Sequence, residues 1–395
     1  MLSQIIAVTG VNIRSIPARL GSSAVAVIGI AGVVLVFVAV LSIAEGVNAT
    51  MKASGDPDVV LILRAGSDTE MTSGLGGDAV RIIQDAPGIA RDGSSGGPMM
   101  SPELFVVVDH PLKRSGSAAN VPLRGVTPEA FKVHSRMKIV DGRNLAFGRN
   151  EIIAGRAAAR QFVGLNVGTP LKWGESTWTL VGIFEDGGSV SESELWCDVK
   201  VLQPAYRRGN SYQSVYARLA SPDSFQQLKD SLTSNPQLTV STMRAPEYYG
   251  SQTETLQRIV RTIGGIIAIL MGVGAVFGAI ITMYTAVASR TREIATLRAL
   301  GFGGVPVVIS VLVEGVLLSL VGGLIGGVVA WIAFDGYETA TMNWQSFSQI
   351  AFAFAVTPRL LAQGLFYALV MGLVGGMLPA IRAARLPVVN ALREL

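Results

Sequence analysis

Four long apolar stretches constrain this 395-residue chain more than any other feature of its sequence. They run over 20–44, 263–288, 305–334 and 360–381, and Glu314 is the one charged residue inside them. Each reaches or exceeds the roughly 20 residues that a helix needs to cross a hydrocarbon core about 30 Å thick. Charged residues make up 15% of the chain, where a soluble domain carries about a quarter. The sequence therefore predicts a membrane protein with four transmembrane α-helices.

The positions of the arginines near the ends of these stretches predict the orientation of the chain. Arginines lie near the span ends on one side of the membrane. They are Arg14 and Arg19 before the first span, Arg290, Arg292 and Arg298 between the second and third, and Arg382, Arg385 and Arg393 after the fourth. The connection between the third and fourth spans instead carries Asp335 and Glu338. Because positive charge near span ends favours the cytoplasm, both termini are expected there, and the long region after the first span is expected outside.

These spans and the segments between them predict an organisation for the whole chain. The region between the first two spans alternates short β-branched runs with helical patterns and turn residues, which is typical of an α+β fold. We predict an α+β extracytoplasmic domain inserted between helices 1 and 2 and a stalk helix leading into the second span. The predicted parts are an amphipathic helix over 1–19, spans over 20–45, 263–288, 304–334 and 359–382, an external domain over 46–245, a stalk over 246–262, a cytoplasmic helix over 289–303, an external loop over 335–358 and a cytoplasmic tail over 383–395.

The segment over 289–303 is longer and more charged than a turn between two spans needs to be. Its residues alternate at helical spacing, which predicts an amphipathic helix of about four turns. The apolar face would contain Ile294, Leu297 and Leu300, and Arg292, Glu293, Thr296 and Arg298 would face the cytoplasm. Two interpretations stay open: an ordinary positively charged loop that is helical, or a helix that docks into the groove of a partner.

Glu314 is unusual because a carboxylate within a membrane span is costly. Such a residue usually faces the interior of a helix bundle, a cavity or a polar partner. Alternatively, the third helix begins deeper than the sequence indicates, and Glu314 lies near the cytoplasmic headgroups.

Glycines recur at four-residue spacing in the last three spans, which allows helix backbones to approach closely in lipid. The pairs are Gly274 with Gly278, Gly322 with Gly326, Gly323 with Gly327, and Gly372 with Gly376. They can pack a four-helix bundle within one subunit or form an interface between two subunits, and the sequence does not decide between these interpretations.

The sequence offers little support for catalysis or cofactor binding. It contains no G-x-x-x-x-G-K-[ST] loop, so this chain is not expected to bind ATP by that route. Cys197 is the single cysteine, and His110 and His134 are the only histidines, which argues against a disulfide framework and a multi-ligand metal site. We therefore predict no catalytic residue, no bound cofactor or metal, no enzymatic activity and no nucleic-acid partner.

The segment SRTREIATLRALGF resembles the coupling helix of MacB/FtsX-type ABC transporter permeases, whose pattern is roughly R-x-x-E-I-G-x-x-R-A-L-G-A. Two further membrane segments are similar to the same family: EGVLLSLVGGLIGGVVA (314–330) and GGMLPAIRAARLPVVNALREL (375–395). In the external region, VPLRGVTPEAF (121–131), GRNLAFGRNEIIAGRAAARQF (142–162) and TLVGIFED (179–186) resemble the MacB-type periplasmic domain. Ala295 replaces the glycine that usually follows Glu-Ile, and Gly303 stands where alanine is common, but neither departure changes charge.

The resemblance implies the permease subunit of an ABC transporter in the bacterial inner membrane. It implies a separate ATPase, two subunits per complex, that holds ATP and Mg and drives movement of the periplasmic domain, a process called mechanotransmission. It also implies a second permease subunit, identical or paralogous, contact with membrane lipid, and a periplasmic adaptor leading to an outer-membrane duct for export. The ATPase-coupling residues by matching position are Arg290, Arg292, Glu293, Ile294, Leu297 and Arg298.

Two other functions share this layout. A lipoprotein-releasing permease of the LolC/LolE type also has four spans and a similar external domain. An FtsX-like signalling protein would activate a cell-wall hydrolase, although FtsX external domains are much smaller than the region here. The sequence does not identify the cargo of any of these systems.

Overall fold

The computed structural model describes residues 2–14, 20–343 and 348–385. The described helices are α1 (Leu2–Arg14), α2 (Leu20–Ser54), α3 (Gly77–Gln84), α4 (Ala130–Val133), α5 (Arg156–Gln161), α6 (Val199–Ala205), α7 (Ser224–Thr233), α8 (Ala245–Ala288), α9 (Thr291–Ala299), α10 (Gly304–Phe334) and α11 (Pro358–Ala384). The strands are β1 (Val59–Arg64), β2 (Leu75–Gly76), β3 (Met100–Pro111), β4 (Ala118–Val126), β5 (Lys138–Gly142), β6 (Glu151–Gly155), β7 (Pro170–Trp173), β8 (Ser176–Glu185), β9 (Leu195–Asp198), β10 (Ser211–Tyr212), β11 (Ser214–Arg218), β12 (Val240–Arg244), β13 (Glu338–Asn343) and β14 (Ser348–Ala353). These elements form a helical unit and a sheet unit.

The helical unit contains α1, most of α2, the part of α8 from Leu256 onward, α9, α10 and α11. Within the described residues, α2, α8, α10 and α11 contain stretches long and apolar enough to cross a membrane. Side chains of α2, α10 and α11 form one apolar core, including Val34, Val38, Ala330 and Ala368. The prediction of four transmembrane helices with an α+β domain between the first two is confirmed.

The sheet unit contains Val47–Thr255 together with Glu338–Ala353. Its ten-stranded mixed sheet has the order β12-β1-β11-β3-β4-β9-β6-β8-β5, with β7 paired to β8. Strand β1, VVLILR, lies between β12 and β11 and is buried at five of its six residues, which explains its continuous apolar run. Helices cover the sheet over two apolar cores: one lies around β1, β11, β12, α3 and α7, and the other around β4, β6, β8, β9, α5 and α6.

Several element boundaries differ from the sequence prediction. The helix of the first span continues nine residues further than its predicted end at 45, to Ser54, because the chain meets no strong breaker before Gly55-Asp56-Pro57. The predicted stalk and second span form the single helix α8. Helix α9 has nine residues rather than four turns, since Gly301 adopts a φ of +94° and ends it.

The predicted external loop over 335–358 contains a β-hairpin. Strands β13 and β14 pair antiparallel from Glu338↔Ala353 to Asn343↔Ser348. Alternate residues of β14 are buried, so ETATMN and SQIAFA carry the period-2 pattern of short strands, which the sequence analysis missed. Arg19, Arg393 and the rest of the tail from 386 onward lie outside the described residues, so the C-terminal family segment (375–395) is described only as far as 385.

Candidate functional site

Helix α9 and the turn before it contain all six predicted coupling residues. Arg292, Glu293 and Thr296 are exposed, Leu297 is half-buried, and Ile294 is buried against the helical core. This arrangement agrees with an amphipathic helix whose charged face is available to a partner.

Two side chains of this segment lie differently from the predicted faces. The Arg298 guanidinium, predicted to face the cytoplasm, is half-buried and donates a hydrogen bond to the carbonyl of Ala384 at 2.7 Å. Leu300, predicted on the apolar face, is 73% exposed and does not pack on the bundle. The reason is the early end of α9, because Leu300 follows the last helical residue and so leaves the helical spacing.

Arg290 occupies the N-cap position of α9, and its side chain points into the helical unit. It is 6% exposed, and Nη1 lies 3.3 Å from Glu314 Oε2 on α10. The same nitrogen donates to Asn12 Oδ1 of α1 at 2.8 Å, and Nη2 donates to the Asn12 carbonyl at 3.3 Å. Asn12 Nδ2 in turn donates to Ser310 Oγ. We call these four residues the Arg290 network; in it Glu314 faces the bundle interior with a charged partner.

A cavity of about 300 Å³ lies beside the Arg290 network. Its walls come from α1, α8, α9 and α10 and are mostly apolar. Helix α9 contributes residues to one wall, so this helix does not pack on the bundle along its whole inner face. The lining residues include Val8, Asn12, Met283, Ala286, Arg290, Ile294, Leu297, Val311 and Glu314.

The sheet unit contains a second buried group of charges, centred on Arg124 of β4. All five N–H donors of its guanidinium meet carboxylates at 2.7–3.0 Å: two on Glu70, two on Glu194 and one on Glu103. None of the four residues is more than 6% exposed. We call them the Arg124 cluster. It joins β4 to β3 and to the segments before β2 and β9, so it connects the strands around both apolar cores.

The Arg124 cluster also contacts the first turns of α8. Tyr248 Oη accepts a hydrogen bond from the Glu70 backbone N–H at 3.4 Å, and Tyr249 Oη lies 3.2 Å from Tyr216 Oη. The rings of Phe105 and Tyr216 lie against the guanidinium, with centroids 5.2 and 5.6 Å away. Burial raises the pKa of Tyr216, and the neighbouring carboxylate of Glu70 raises it further. The beginning of α8 is therefore fixed to this cluster by its two tyrosines.

The charges around Glu103 favour its ionised carboxylate. Burial alone would raise the pKa of Glu103, but the His134 side chain, whose Nε2 is 3.5 Å away, and the Arg124 charge together lower it. Burial likewise opposes the charge on Arg124, yet Glu194 and Glu70 raise its pKa well above the ordinary value. The folded sheet unit thus binds these groups in their charged forms.

This balance predicts sensitivity to acid. Because the pKa of folded Glu103 lies below its ordinary value of 4.5, its contribution is complete above that value and is lost as pH falls through the folded pKa. In thermal melts of the full wild-type chain, the melting temperature should fall steeply between pH 7 and pH 3. In Glu103→Gln the melting temperature should start lower and depend less on pH, and an unchanged slope would contradict the role of Glu103.

The glycine pairs of the membrane spans divide into two groups. Six of the eight glycines contact another helix of the same subunit: a Cβ built on Gly322, Gly323, Gly326, Gly327, Gly372 or Gly376 would meet atoms of α2, α10 or α11. For Gly326 those atoms are the backbone of Ala31 on α2. A Cβ on Gly274 or Gly278 of α8 would meet no atom of the described residues within 4 Å, and both residues are exposed.

Among the described residues, no group of three or more His, Cys, Asp or Glu side chains is placed to hold a metal ion. His110 Nε2 bonds to the carbonyl of Val163 at 2.7 Å. Cys197 is fully buried, and burial raises the pKa of its thiol well above the ordinary value, which disfavours the reactive thiolate.

Comparison with known proteins relates this architecture to one family. Residues 23–235 match the MacB-like periplasmic core domain, and residues 265–388 match the FtsX-like permease C-terminal domain. The chain is a MacB/FtsX-type ABC transporter permease. The predicted family is confirmed, and the permease is accordingly a multi-pass membrane protein with a periplasmic domain, formed by its sheet unit.

Its curated relatives are distant. The uncharacterized ABC transporter permease YknZ of Bacillus subtilis is 30% identical over 146 residues, 36% of this chain and 33% of that protein. The macrolide export ATP-binding/permease protein MacB of Hahella chejuensis is 25% identical over 319 residues, 73% and 45% of the two chains. The pyoverdine export ATP-binding/permease protein PvdT of Pseudomonas entomophila is 36% identical over 143 residues, which cover 36% of this chain and 20% of that protein. The permease thus spans less than half the length of these relatives.

Among solved structures, the periplasmic region of MacB from Actinobacillus actinomycetemcomitans aligns with 53% of the permease and 98% of that chain. The identity is 12% and the TM-score is 0.38.

Sequence reasoning missed the Arg124 cluster and the partners of Arg290. The available signal was a charged residue within an apolar run, as in VPLRGV around Arg124 and in the third span around Glu314. Such a residue needs a buried partner. The partners lie 21 to 70 residues away for Arg124 and 278 residues away for the contact between Asn12 and Arg290. Spacing rules for helices and strands do not reach across such separations.

Proposed function

We propose that this permease couples ATP hydrolysis on a separate ATPase subunit to movement of its periplasmic domain. The continuity of α8 carries this proposal. Its 44 residues begin in the sheet unit and end in the helical unit, a length of about 66 Å, and two residues later α9 begins. A displacement of α9 would therefore be transmitted along one uninterrupted helix to the part of α8 that is bound to the Arg124 cluster.

In this mechanism the ATPase binds and hydrolyses ATP with Mg, and the permease binds neither. Two ATPase subunits contact the α9 helices of two permease subunits, with both permease termini on the cytoplasmic side. Closure of the ATPase pair moves α9, and α8 transmits the motion to the periplasmic domain. The exposed charges of Arg292 and Glu293 would provide complementary contacts and fix the register of docking.

The names of two relatives support an export function. MacB is described as a macrolide exporter and PvdT as a pyoverdine exporter, so we infer that the permease exports a periplasmic small molecule. In that case the moving domains would act with a periplasmic adaptor and an outer-membrane duct. The second permease subunit would pack, within the lipid bilayer, against the exposed face of α8 around Gly274 and Gly278.

A charge reversal on α9 tests the coupling. In Glu293→Lys, an exposed side chain changes sign without loss of packing, so the fold should persist while ATPase affinity falls about tenfold. The measurement is ATP hydrolysis by, and binding of, the partner ATPase subunit with the permease in nanodiscs. Arg298→Glu is a less specific variant, because Arg298 also bonds to the Ala384 carbonyl.

Glu175→Lys is the matched control, since it makes the same charge change on an exposed turn between β7 and β8. The complex that contains this variant should bind the ATPase subunit and hydrolyse ATP as the wild-type complex does. If Glu293→Lys matched this control in both assays, α9 would not be the coupling contact.

A further inference from the structure

We propose that the N-terminal helix α1 takes part in coupling by moving with α9. In this proposal Asn12 and Glu314 are positioning residues, which hold α9 through Arg290. The inference deepens the proposed function, because it rests on α9 being the contact with the ATPase. It assigns to α1 a mechanical role beyond attachment of the chain to the membrane surface.

The first step is the geometry of the Arg290 network. Arg290 precedes α9 directly, so its side chain and the helix start cannot move independently. Its guanidinium binds α10 through Glu314 and α1 through both the side chain and the backbone of Asn12. Asn12 also bonds to Ser310, one helical turn before Glu314 on α10. Three helices therefore meet at one buried guanidinium.

The second step concerns what else holds α9. Nine residues are too few for a helix to be stable in isolation, so tertiary contacts must maintain it. The cavity of about 300 Å³ removes close packing from part of its inner face. Besides the buried side chains of Ile294 and Ala295, the polar contacts described between α9 and the bundle lie at its two ends, through Arg290 and through the bond from Arg298 to Ala384.

The third step follows from the low polarity of the site. Arg290 is 6% exposed and Glu314 is 4% exposed, and separating a buried pair would leave two uncompensated charges. When α9 is displaced, the guanidinium stays with its partners, because separating them costs more free energy than moving them together. Consequently, α1 and the nearby turns of α10 move with α9, and the cavity supplies the space for that movement.

The first test measures amide hydrogen exchange of α9 in the permease alone, in nanodiscs and without any ATPase. Asn12→Ala removes the acceptor for Arg290 and the donor to Ser310, so exchange over 291–299 should become about tenfold faster. Asn12→Asp retains an acceptor for Arg290 and should restore most of the protection. Thr285→Ala, an exposed polar residue near the end of α8 that bonds within its own helix, should leave exchange as in the wild type.

If Asn12→Ala and wild type exchange equally over α9 while both remain folded by circular dichroism, the positioning role is overturned. This readout needs no ATPase, so its failure is distinct from a failure of the proposed function. If the wild type neither binds nor stimulates the ATPase, the proposed function fails and the coupling role of α1 fails with it.

The second test fills the cavity. Ala286→Leu adds volume to the cavity wall, so it should leave ATPase binding intact and reduce ATP hydrolysis by the assembled complex about tenfold. Ala288→Leu makes the same change two residues further along, at an exposed position, and should leave the hydrolysis rate as in the wild-type complex. A wild-type hydrolysis rate in the Ala286→Leu complex would show that α9 does not move into this space.

Discussion

Arg124→Lys is expected to unfold the sheet unit of the permease even though it preserves the positive charge. The guanidinium uses five donors to satisfy three carboxylates, whereas an ammonium group has three donors and no planar fork. Since Glu70, Glu103 and Glu194 are all buried, any carboxylate oxygen left without a donor would incur its desolvation cost. Breaking a buried charge pair costs about 3–5 kcal/mol, which is comparable to the whole stability of many domains.

The measurement is chemical denaturation of the full chain, followed by tryptophan fluorescence. Trp196 is a suitable probe because its indole Nε1 donates to Glu194 Oε2 at 2.8 Å, within the Arg124 cluster. The fluorescence transition of Arg124→Lys should move to much lower denaturant or be absent under native conditions. The periplasmic domain would then be lost while the apolar helices retain their helical circular dichroism.

Arg143→Lys provides the matched control. Arg143 also forms a two-point contact with a carboxylate, at 2.6 and 2.7 Å to Glu151, but its side chain is 53% exposed. Solvent screens such a pair, so its replacement should leave the denaturation midpoint close to that of the wild type. If the two substitutions destabilised the protein equally, burial of the Arg124 cluster would not be the source of its importance.

The sequence predicts well those parts of the permease that local periodicity controls. The long apolar runs predict the membrane helices, and the β-branched runs predict strands such as β1 and β6. Side chains return to the same face every 3.6 residues in a helix and every 2 residues in a strand, so these elements can be recognised from spacing. The end of α9 and the hairpin β13–β14 were missed. In these cases single residues with special conformations, or short alternations of small and polar residues, decide the structure.

The candidate site was predictable only in part. Spacing and resemblance indicated α9, and the cost of a charge in the membrane indicated that Glu314 needs a partner. Neither rule names Asn12, because that contact depends on how α1 packs on α10. The Arg124 cluster is hidden for the same reason: its four charges come from distant segments that only the order of strands in the sheet brings together.

Gly326→Val should disrupt the fold of the subunit whereas Gly278→Val should leave it intact, although both replace a glycine on a membrane helix. At Gly326 a side chain would overlap the backbone of Ala31 on α2, and a backbone carbonyl cannot move aside as a flexible side chain can. The helices α2 and α10 would have to separate, and close packing of small residues is what holds spans together in lipid. We therefore expect Gly326→Val to prevent assembly of the helical unit, seen as loss of monodisperse protein after extraction in mild detergent.

At Gly278 the added methyl groups meet no atom of the described residues, so the subunit itself should fold normally. If this face of α8 contacts a second permease, the branched side chain keeps the two backbones apart and should weaken dimerisation about tenfold. The measurement is the monomer–dimer equilibrium in detergent, by sedimentation or by energy transfer between labelled subunits. Val273→Ile, an enlargement at an exposed position earlier on α8, serves as the comparison for added bulk alone. Dimerisation of Gly278→Val at wild-type strength would remove Gly274 and Gly278 from the subunit interface and leave lipid as their neighbour.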